Sequence, residues 1–545
     1  MKRPIHWHDF TPQLTTRNLI VLSAVMILLV YLLQGDVGFN ISDEGFLWYG
    51  TMRTALGEVP MRDFQSYEPG RYYWGALWFK LLRNDGIYAL KASQAALEFV
   101  SLTVALLLLR RLVSSWMALI FAAAVLVRWT MPKWKIYEPA IEIAAIYFAV
   151  LVIESPSLRR HLLAGVFTGL AAFFGRNHGL YCGLAFLFLT IFVGWKTDKR
   201  VVVQRFGALA LGVVIGYAPM LLMFAFVPGF FEQFKQDILF NLHYGTTLRI
   251  PVPWPWQVSY KGAETREAIS RFTTGVVFMV LPAFYLFSGA RLLFQRTPRL
   301  HPVFIASVIV GVMYLHYTFG RPQYIYLQWT SPPFILGLIA MPVSLSKRPN
   351  RKLVIAVWSM LAVFTLAALE LSDQNYFTAK LRAFTKTKLM GRQGGDFNLA
   401  MNVRGLVKTD VGGDSLWVAP DTAQTINNLK RIDQTMIQRS DGLLMAPYAA
   451  GLYAALHKRS PVWENYFLFP RPLKEQEKMV QDLESRNVNW AYICHFYADE
   501  RPELSFENTH SLVWQYLVAN FETIQTEEAR NLHTQCELMR RRLQR

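Results

Sequence analysis

Long apolar runs constrain this chain more than any other feature. Stretches such as VLSAVMILLVYLL, VSLTVALLLL, LIFAAAVLV and AIEIAAIYFAVLVI approach the roughly 20 residues a helix needs to cross about 30 Å of hydrocarbon. Only closed backbone hydrogen bonding survives in lipid, and runs of this length favour helices over the short alternating strands of a barrel. Composition agrees, since 53% of the residues are hydrophobic and 17% charged, against about 25% charged in average soluble domains. A polytopic α-helical membrane protein is expected. Its spans fall at about 19–33, 87–109, 116–128, 139–153, 162–176, 179–195, 206–227, 273–290, 302–318, 328–345 and 352–371, about eleven in all.

Lys and Arg in short loops collect on the cytoplasmic side of a membrane. The N-terminal Lys2, Arg3 and Arg17, then Arg110 with Arg111, Arg159 with Arg160, Lys196 to Arg205, Arg291 to Arg299 and Lys347 to Lys352 all fall on one face of the expected bundle. That face is assigned to the cytoplasm, and an odd number of spans then exports everything after about residue 372. In a Gram-negative source the exported part would lie in the periplasm and the spans in the inner membrane. The net charge of +18 needs no nucleic acid partner, because much of it sits in these loops against an anionic leaflet. The first apolar run is long, has no small-residue cleavage site after it, and reads as a signal anchor.

Two domains are expected: a transmembrane one over about residues 1–371, and an exported one over about 372–545 that is large enough for its own core. In the tail, SLWVAP, GLLMAPYAAGLYAAL, VWENYFLF and WAYICHFY read as strands. Helical stretches such as LKEQEKMVQDLESRN and HSLVWQYLVANFETI separate or follow them, which suggests a small α/β layer structure. Cys182 lies in a span, while Cys494 and Cys536 lie in the tail. Spacing alone does not show whether those two side chains meet, so a disulfide and two free thiols both stay open. The tail has no Gly-rich phosphate loop, nucleophile elbow or metal-spaced His cluster.

The first outside loop, over about residues 34–86, is too long for a mere connector. It reads GDVGFNISDEGFLWYGTMRTALGEVPMRDFQSYEPGRYYWG. Asp43 and Glu44 precede a helical-looking aromatic segment, and Asp63, Tyr67, Glu68, Pro69, Gly70 and Arg71 follow it. A carboxylate near the membrane surface has the placement of a general base that takes a proton from an incoming hydroxyl while an amphiphilic donor stays in the bilayer. The alternative is that Asp43 and Glu44 cap the helix after them.

Several cations stand at the outer ends of spans, where topology does not call for them. Lys133 and Lys135 lie in MPKWKIYEP beside Glu138, Arg176 and His178 lie in FGRNHGLY, and Arg321 lies in FGRPQYIYL. Together they suit an anionic lipid headgroup, phosphate above all, which Arg meets with paired hydrogen bonds. Taken singly, each would snorkel to water or lipid.

With these elements the chain resembles the bacterial membrane glycosyltransferases of the GT-C superfamily, in the branch related to protein O-mannosyltransferases and aminoarabinose transferases. The resemblance covers nearly the whole chain. It rests on the acidic pair Asp43 and Glu44, the element Tyr67, Pro69 and Gly70, the later-loop residues Arg176, His178 and Gly179, and the tail phrases PYAAGLYAALHKRSPVWENYF and FENTHSLVWQYLVANFE. A family element similar to Arg-x-Asp-x-x-His-Leu stands before the tenth span. Here it has Arg321, Gln323, Tyr326 and Leu327, so only the Arg is carried over.

The resemblance implies transfer of one sugar from a polyprenyl-phosphate donor to a glycan, glycolipid or protein acceptor on the outer face, with inversion at the anomeric carbon. Asp43 would be the base, and Glu44 would position the acceptor or a metal ion. Lys135, Arg176, His178 and Arg321 would stabilise the leaving phosphate as its charge grows. Tyr67, Glu68, Arg71 and Glu138 would contact substrate. Tyr67, Tyr72, Tyr73 and Trp74 would line a sugar pocket or anchor the interface as an aromatic belt. Phosphate leaves readily, so no second carboxylic acid is needed, unlike glycoside hydrolysis. A divalent ion on Asp43, Glu44, Glu138 and Glu142 stays open, with Glu142 alternatively a polar group inside a span. A transporter or flippase is the rival class, though its charges would sit near the bilayer midplane.

Overall fold

The computed structural model describes residues 14–130, 135–244, 250–294, 300–345, 351–370, 405–438, 440–498, 501–526 and 535–542. Lys2, Arg3, Lys133, Arg296, Arg299 and Lys347 lie outside the described residues.

The helices through the hydrophobic part are α1 (Thr16–Gln34), α2 (Asp43–Ala55), α3 (Pro69–Leu82), α4 (Ile87–Leu109), α5 (Trp116–Thr130), α6 (Tyr137–Glu154), α7 (Leu158–Phe174) and α8 (Arg176–Gly194). They continue as α9 (Lys199–Gly216), α10 (Ala218–Phe226), α11 (Phe230–Tyr244), α12 (Thr265–Phe294), α13 (Pro302–Gly320), α14 (Tyr324–Trp329), α15 (Ser331–Leu345) and α16 (Arg351–Phe364). Among the described residues each expected span falls on one helix or on two consecutive helices. By length and composition, five described helices are able to cross a membrane, namely α1, α4, α8, α12 and α13, and α9 with α10, bent by 52°, makes a sixth. The others are shorter or more polar. Helices α5 and α15 have 15 residues each, which at about 1.5 Å per residue falls short of the hydrocarbon thickness. Helix α6 carries Glu138, Glu142 and Glu154. The chain is a multi-pass membrane protein.

The structure divides into two compact units, Met1–Tyr31 with Gln94–Met223 and Thr247–Asn375, and Leu32–Ser93 with Phe224–Thr246 and Tyr376–Arg545. In the first unit, α7 and α9 pack backbone to backbone. Gly165 and Gly169 on α7 face Gly212 and Gly216 on α9, and a Cβ built on Gly216 would lie 1.9 Å from the Val166 carbonyl oxygen. This is the small-xxx-small pairing by which helices associate in lipid, where close packing replaces the hydrophobic drive available in water. Around it, Ile146 and Val150 of α6, Phe304 and Val308 of α13 and Leu336 and Ala340 of α15 form the buried core.

The second unit holds the loop over about residues 34–86, the segment Phe224–Thr246 and the tail. Strands β1 (Val407–Val411) and β2 (Asp414–Val418) form an antiparallel hairpin. Strands β3 (Gly442–Ala446), β4 (Val488–Cys494), β5 (Phe521–Thr523) and β6 (Cys536–Arg541) form a mixed sheet in the order β3-β4-β6-β5, with β3 and β4 parallel. Helices Leu473–Ser485 and Ser511–Asn520 flank it, burying Met479, Leu483, Val513 and Leu517 against Leu444 and Ile493. The expected α/β tail is present, with corrections. YAAGLYAAL continues GLLMA not as strand but as the helix Ala450–Ala455, consistent with its alanine content. VWENYFLF forms no strand, because its backbone bonds go elsewhere: the Gln65 N–H donates to the Trp463 carbonyl at 2.8 Å, and the Phe467 N–H donates to the Pro447 carbonyl at 3.0 Å. Strand β6 was not expected, half of its CELMRR being charged. Cys494 and Cys536 are joined by a disulfide.

Beside that disulfide, His495 sits between Glu507 and Glu537, with Nε2 3.0 Å from the Glu537 carboxylate and Nδ1 against Glu507. Burial alone would lower its pKa, but the two carboxylates outweigh burial and raise it. A raised histidine stabilises the folded state fully below its unfolded value of about 6.5 and loses that contribution as pH rises through the folded value. We expect the melting temperature of the purified chain to fall between about pH 6 and pH 8.5 by more than in His495→Asn. An equal fall in both proteins would count against the clamp.

Candidate functional site

The start of α2 shows how the acidic pair is used. The Asp43 N–H donates to Asn40 Oδ1 at 2.7 Å, and the Asn40 N–H donates to Glu44 Oε2 at 3.3 Å. This reciprocal arrangement satisfies donors at the helix end as a capping box does. Capping therefore falls to Asn40 and Glu44, and the Asp43 carboxylate takes no part in it. Glu44 is fully buried, and its Oε1 has no hydrogen-bond partner among the described residues. Its charge faces Lys91, whose buried Nζ donates to the carbonyls of Gly35 and Gly38 at 2.9 and 3.0 Å. Glu44 thus holds the helix start.

Asp43 is half-buried, and its Oδ1 accepts a hydrogen bond from the Tyr466 hydroxyl at 3.1 Å. Burial around that phenol, and then the neighbouring Asp43 carboxylate, push the Tyr466 pKa well up, so it remains a neutral donor. Aromatic rings surround the pair. Phe46 meets Tyr67 and Tyr466 edge-on at 5.1 and 5.5 Å, and Tyr448 lies 5.1 Å from Tyr466. Arg71 is buried with its guanidinium 5.1 Å from the Tyr67 ring, a cation–π distance. Glu68, also buried, is the N-cap residue of α3. The structure thus links Tyr67 and Arg71 to the base candidate through Phe46 and Tyr466. Tyr72 is instead wholly buried with its hydroxyl accepting from the Tyr67 N–H at 3.0 Å. Trp74 donates to the Ser93 carbonyl at 2.9 Å, and Tyr73 is exposed. Asp63 is occupied by Arg62 at 2.8 Å and by the Val59 N–H at 2.7 Å.

Gly45, next to the pair, allows a close approach. A Cβ there would lie 2.3 Å from the Gly451 Cα, and backbone cannot yield as a flexible side chain does. Gly45→Val is therefore expected to destabilise the second unit by about 1–3 kcal/mol or more, seen as protease sensitivity of the tail. Unchanged resistance would mean that the α2 start does not pack as described.

In the first unit the cations form a second cluster. Lys135 Nζ lies 4.8 Å from the Trp329 ring centre, and the Arg321 guanidinium lies 5.8 Å from that of Tyr326. Tyr326 in turn contacts Trp329 at 4.8 Å and Tyr317 at 5.4 Å. The Tyr317 hydroxyl donates to Glu138 Oε1 at 3.5 Å, and His178 Nε2 lies 3.9 Å from the same oxygen. His178 Nδ1 is 3.0 Å from the Tyr314 hydroxyl. Lys135, Glu138, His178 and Arg321 are thus linked through Tyr317, Tyr326 and Trp329, of which only Tyr326 stands out in the sequence. Arg176 is half-buried in the first turn of α8, where the helix dipole favours an anion. Glu142 is fully buried one turn beyond Glu138, and neither of its carboxylate oxygens has a hydrogen-bond partner among the described residues. Among the described residues no three His, Cys, Asp or Glu side chains converge as metal ligands.

No protein-family model matches the chain, and no curated protein sequence matches it significantly. Solved structures do match. ArnT from Cupriavidus metallidurans in the apo state aligns with a TM-score of 0.51 at 13% identity, over 96% of this chain and 98% of that one. ArnT from the same organism bound to undecaprenyl phosphate aligns with a TM-score of 0.50 at 14% identity, over the same shares. The oligosaccharyltransferase of Archaeoglobus fulgidus aligns with a TM-score of 0.45 at 12% identity, over 90% of this chain and 70% of that one. The chain carries the GT-C fold, shared with ArnT across nearly its whole length.

Proposed function

We propose that the chain is an inverting glycosyltransferase that moves one sugar from a polyprenyl-phosphate donor to an acceptor hydroxyl at the outer face of the membrane, with its N-terminus in the cytoplasm. The observation that carries this reading is the Asp43 carboxylate, half-buried, excluded from capping, and held on one oxygen by Tyr466. A carboxylate so placed is free to take a proton. Support comes from the shared fold with ArnT, solved with undecaprenyl phosphate bound.

Asp43 takes the proton of the acceptor hydroxyl. The acceptor oxygen bonds to the anomeric carbon from the face opposite the phosphate, and the bond from that carbon to the phosphate oxygen breaks. The electron pair of that bond leaves with the polyprenyl phosphate. The growing phosphate charge is met by Lys135, Arg176 and Arg321, and by His178 when protonated. Tyr67 and Arg71 contact the sugar or acceptor beside Asp43. Glu68 shapes these surroundings from a buried position, and Glu138 orients His178.

The test supplies the purified chain in nanodiscs with radiolabelled polyprenyl-phosphate mannose, glucose and arabinose and with bacterial membrane extracts as acceptors. Label passing from lipid phosphate to another envelope component supports the reading. Intact donors throughout, with a folded protein, would contradict it.

A further inference from the structure

The role of the exported tail follows from how its segment 460–466 is attached to the first outside loop within the second unit. We infer that the tail supplies Tyr466 as a positioning residue for Asp43, an inference that rests on the assignment of Asp43 as the base.

Three observations support it. First, the segment is stitched to the loop by paired hydrogen bonds. The Trp463 indole N–H donates to the Met61 carbonyl at 2.9 Å, and Gln65 Oε1 accepts from the N–H groups of both Asn465 and Tyr466, at 3.1 and 2.9 Å. The Ser460 N–H donates to the Tyr49 hydroxyl at 3.0 Å. These bonds fix the Tyr466 backbone against the loop that carries the base. Second, Tyr466 is braced on two sides, by Phe46 at 5.5 Å and by Tyr448 at 5.1 Å. Its ring therefore has little freedom, and its hydroxyl meets Asp43 Oδ1 at 3.1 Å. Third, the start of α2 is tied to the tail independently. The Ser42 hydroxyl donates to the Tyr448 carbonyl at 3.0 Å, and the Gly451 N–H donates to the Ile41 carbonyl at 2.9 Å. Backbone and carboxylate of the base are thus both set by the tail.

A carboxylate with one oxygen held by a neutral donor presents its other oxygen in a fixed direction, as a general base requires. The chain is therefore expected to depend on its tail for turnover more than for donor binding.

The experiment has two arms on the full-length chain. In the first, 3-fluorotyrosine is placed at position 466, and its fluorine resonance is compared in the otherwise native protein and in Asp43→Asn, without any substrate. The resonance is expected to shift, because the acceptor changes from a carboxylate to a neutral amide; an unmoved resonance overturns the inference. In the second, Tyr466→Phe is assayed with whichever of the mannose, glucose and arabinose polyprenyl phosphates the wild type turns over. The expected result is a fall in kcat of about tenfold with donor KM and melting temperature unchanged. A wild-type kcat, or a loss that appears equally in KM and melting temperature, overturns the inference. If Tyr466→Phe fails to fold, a series from 3-fluoro- to 3,5-difluorotyrosine replaces it. There kcat is expected to track phenol acidity, and an indifferent kcat overturns the inference. Retained activity in Asp43→Asn would instead sink the assignment of the base, which separates the two failures.

Discussion

Asp43→Asn is expected to lower kcat by about 10²–10⁴-fold, the span over which a positioned base contributes to a proton transfer, while the protein stays folded. The substitution keeps the side-chain shape and an Oδ1 acceptor for the Tyr466 hydroxyl, which lies 3.1 Å away. It also keeps the Asp43 N–H bond to Asn40 that caps α2. Only the capacity to take a proton is lost. The comparison is made on purified proteins by steady-state transfer, with melting temperature as the control. Transfer at the wild-type rate would remove Asp43 as the base.

Arg471→Met is expected to cost about 3–5 kcal/mol of stability, because removing one partner of a buried pair leaves the other charge uncompensated. Arg471 Nε donates to Glu464 Oε2 at 2.7 Å, and the two side chains are 8% and 1% exposed. Burial alone would raise the Glu464 pKa, but Arg471 and His510 outweigh it and hold the carboxyl below its usual value. The guanidinium also lies over the Phe240 ring at 3.9 Å and near Trp463 at 5.7 Å, so the network braces the same segment that presents Tyr466. Unfolding of the purified chain in detergent measures the loss. Arg471→Met with Glu464→Gln is expected to recover much of it, since no charge then remains buried. A single variant as stable as the wild type would show that the pair is not desolvated in solution.

The helices of the expected spans were legible because a helix that crosses lipid must carry its apolar residues in one continuous run, although by length and composition only five described helices and one bent pair are able to cross. The boundary residues of α4 and α8 agree closely with that reading. Helix α2 was legible from its aromatic run, but which acid caps it was not, since that depends on side-chain direction rather than on residue type. VWENYFLF was misread because apolar and aromatic alternation marks burial, and burial here is supplied in part by the loop around Met61 and Gln65 instead of by a sheet. Tyr466 was beyond reach: 423 residues separate it from Asp43, and nothing local marks a tyrosine as the partner of a distant carboxylate. The glycines of α7 and α9 carry a readable small-xxx-small spacing, and it explains why these two helices pack so closely. The cations stand out by their place at the ends of expected spans, whereas Tyr317 and Trp329, which link them together with Tyr326, look like ordinary interface aromatics in sequence.

The most direct test of glycosyl transfer is the fate of the donor in sealed proteoliposomes. The chain is reconstituted with polyprenyl-phosphate sugar carrying one label on the sugar and another on the lipid, together with membrane acceptors. Transfer releases one polyprenyl phosphate for each sugar moved and gives a product of inverted anomeric configuration. Both labels crossing to the other leaflet while still joined would contradict the account and make the chain a transporter.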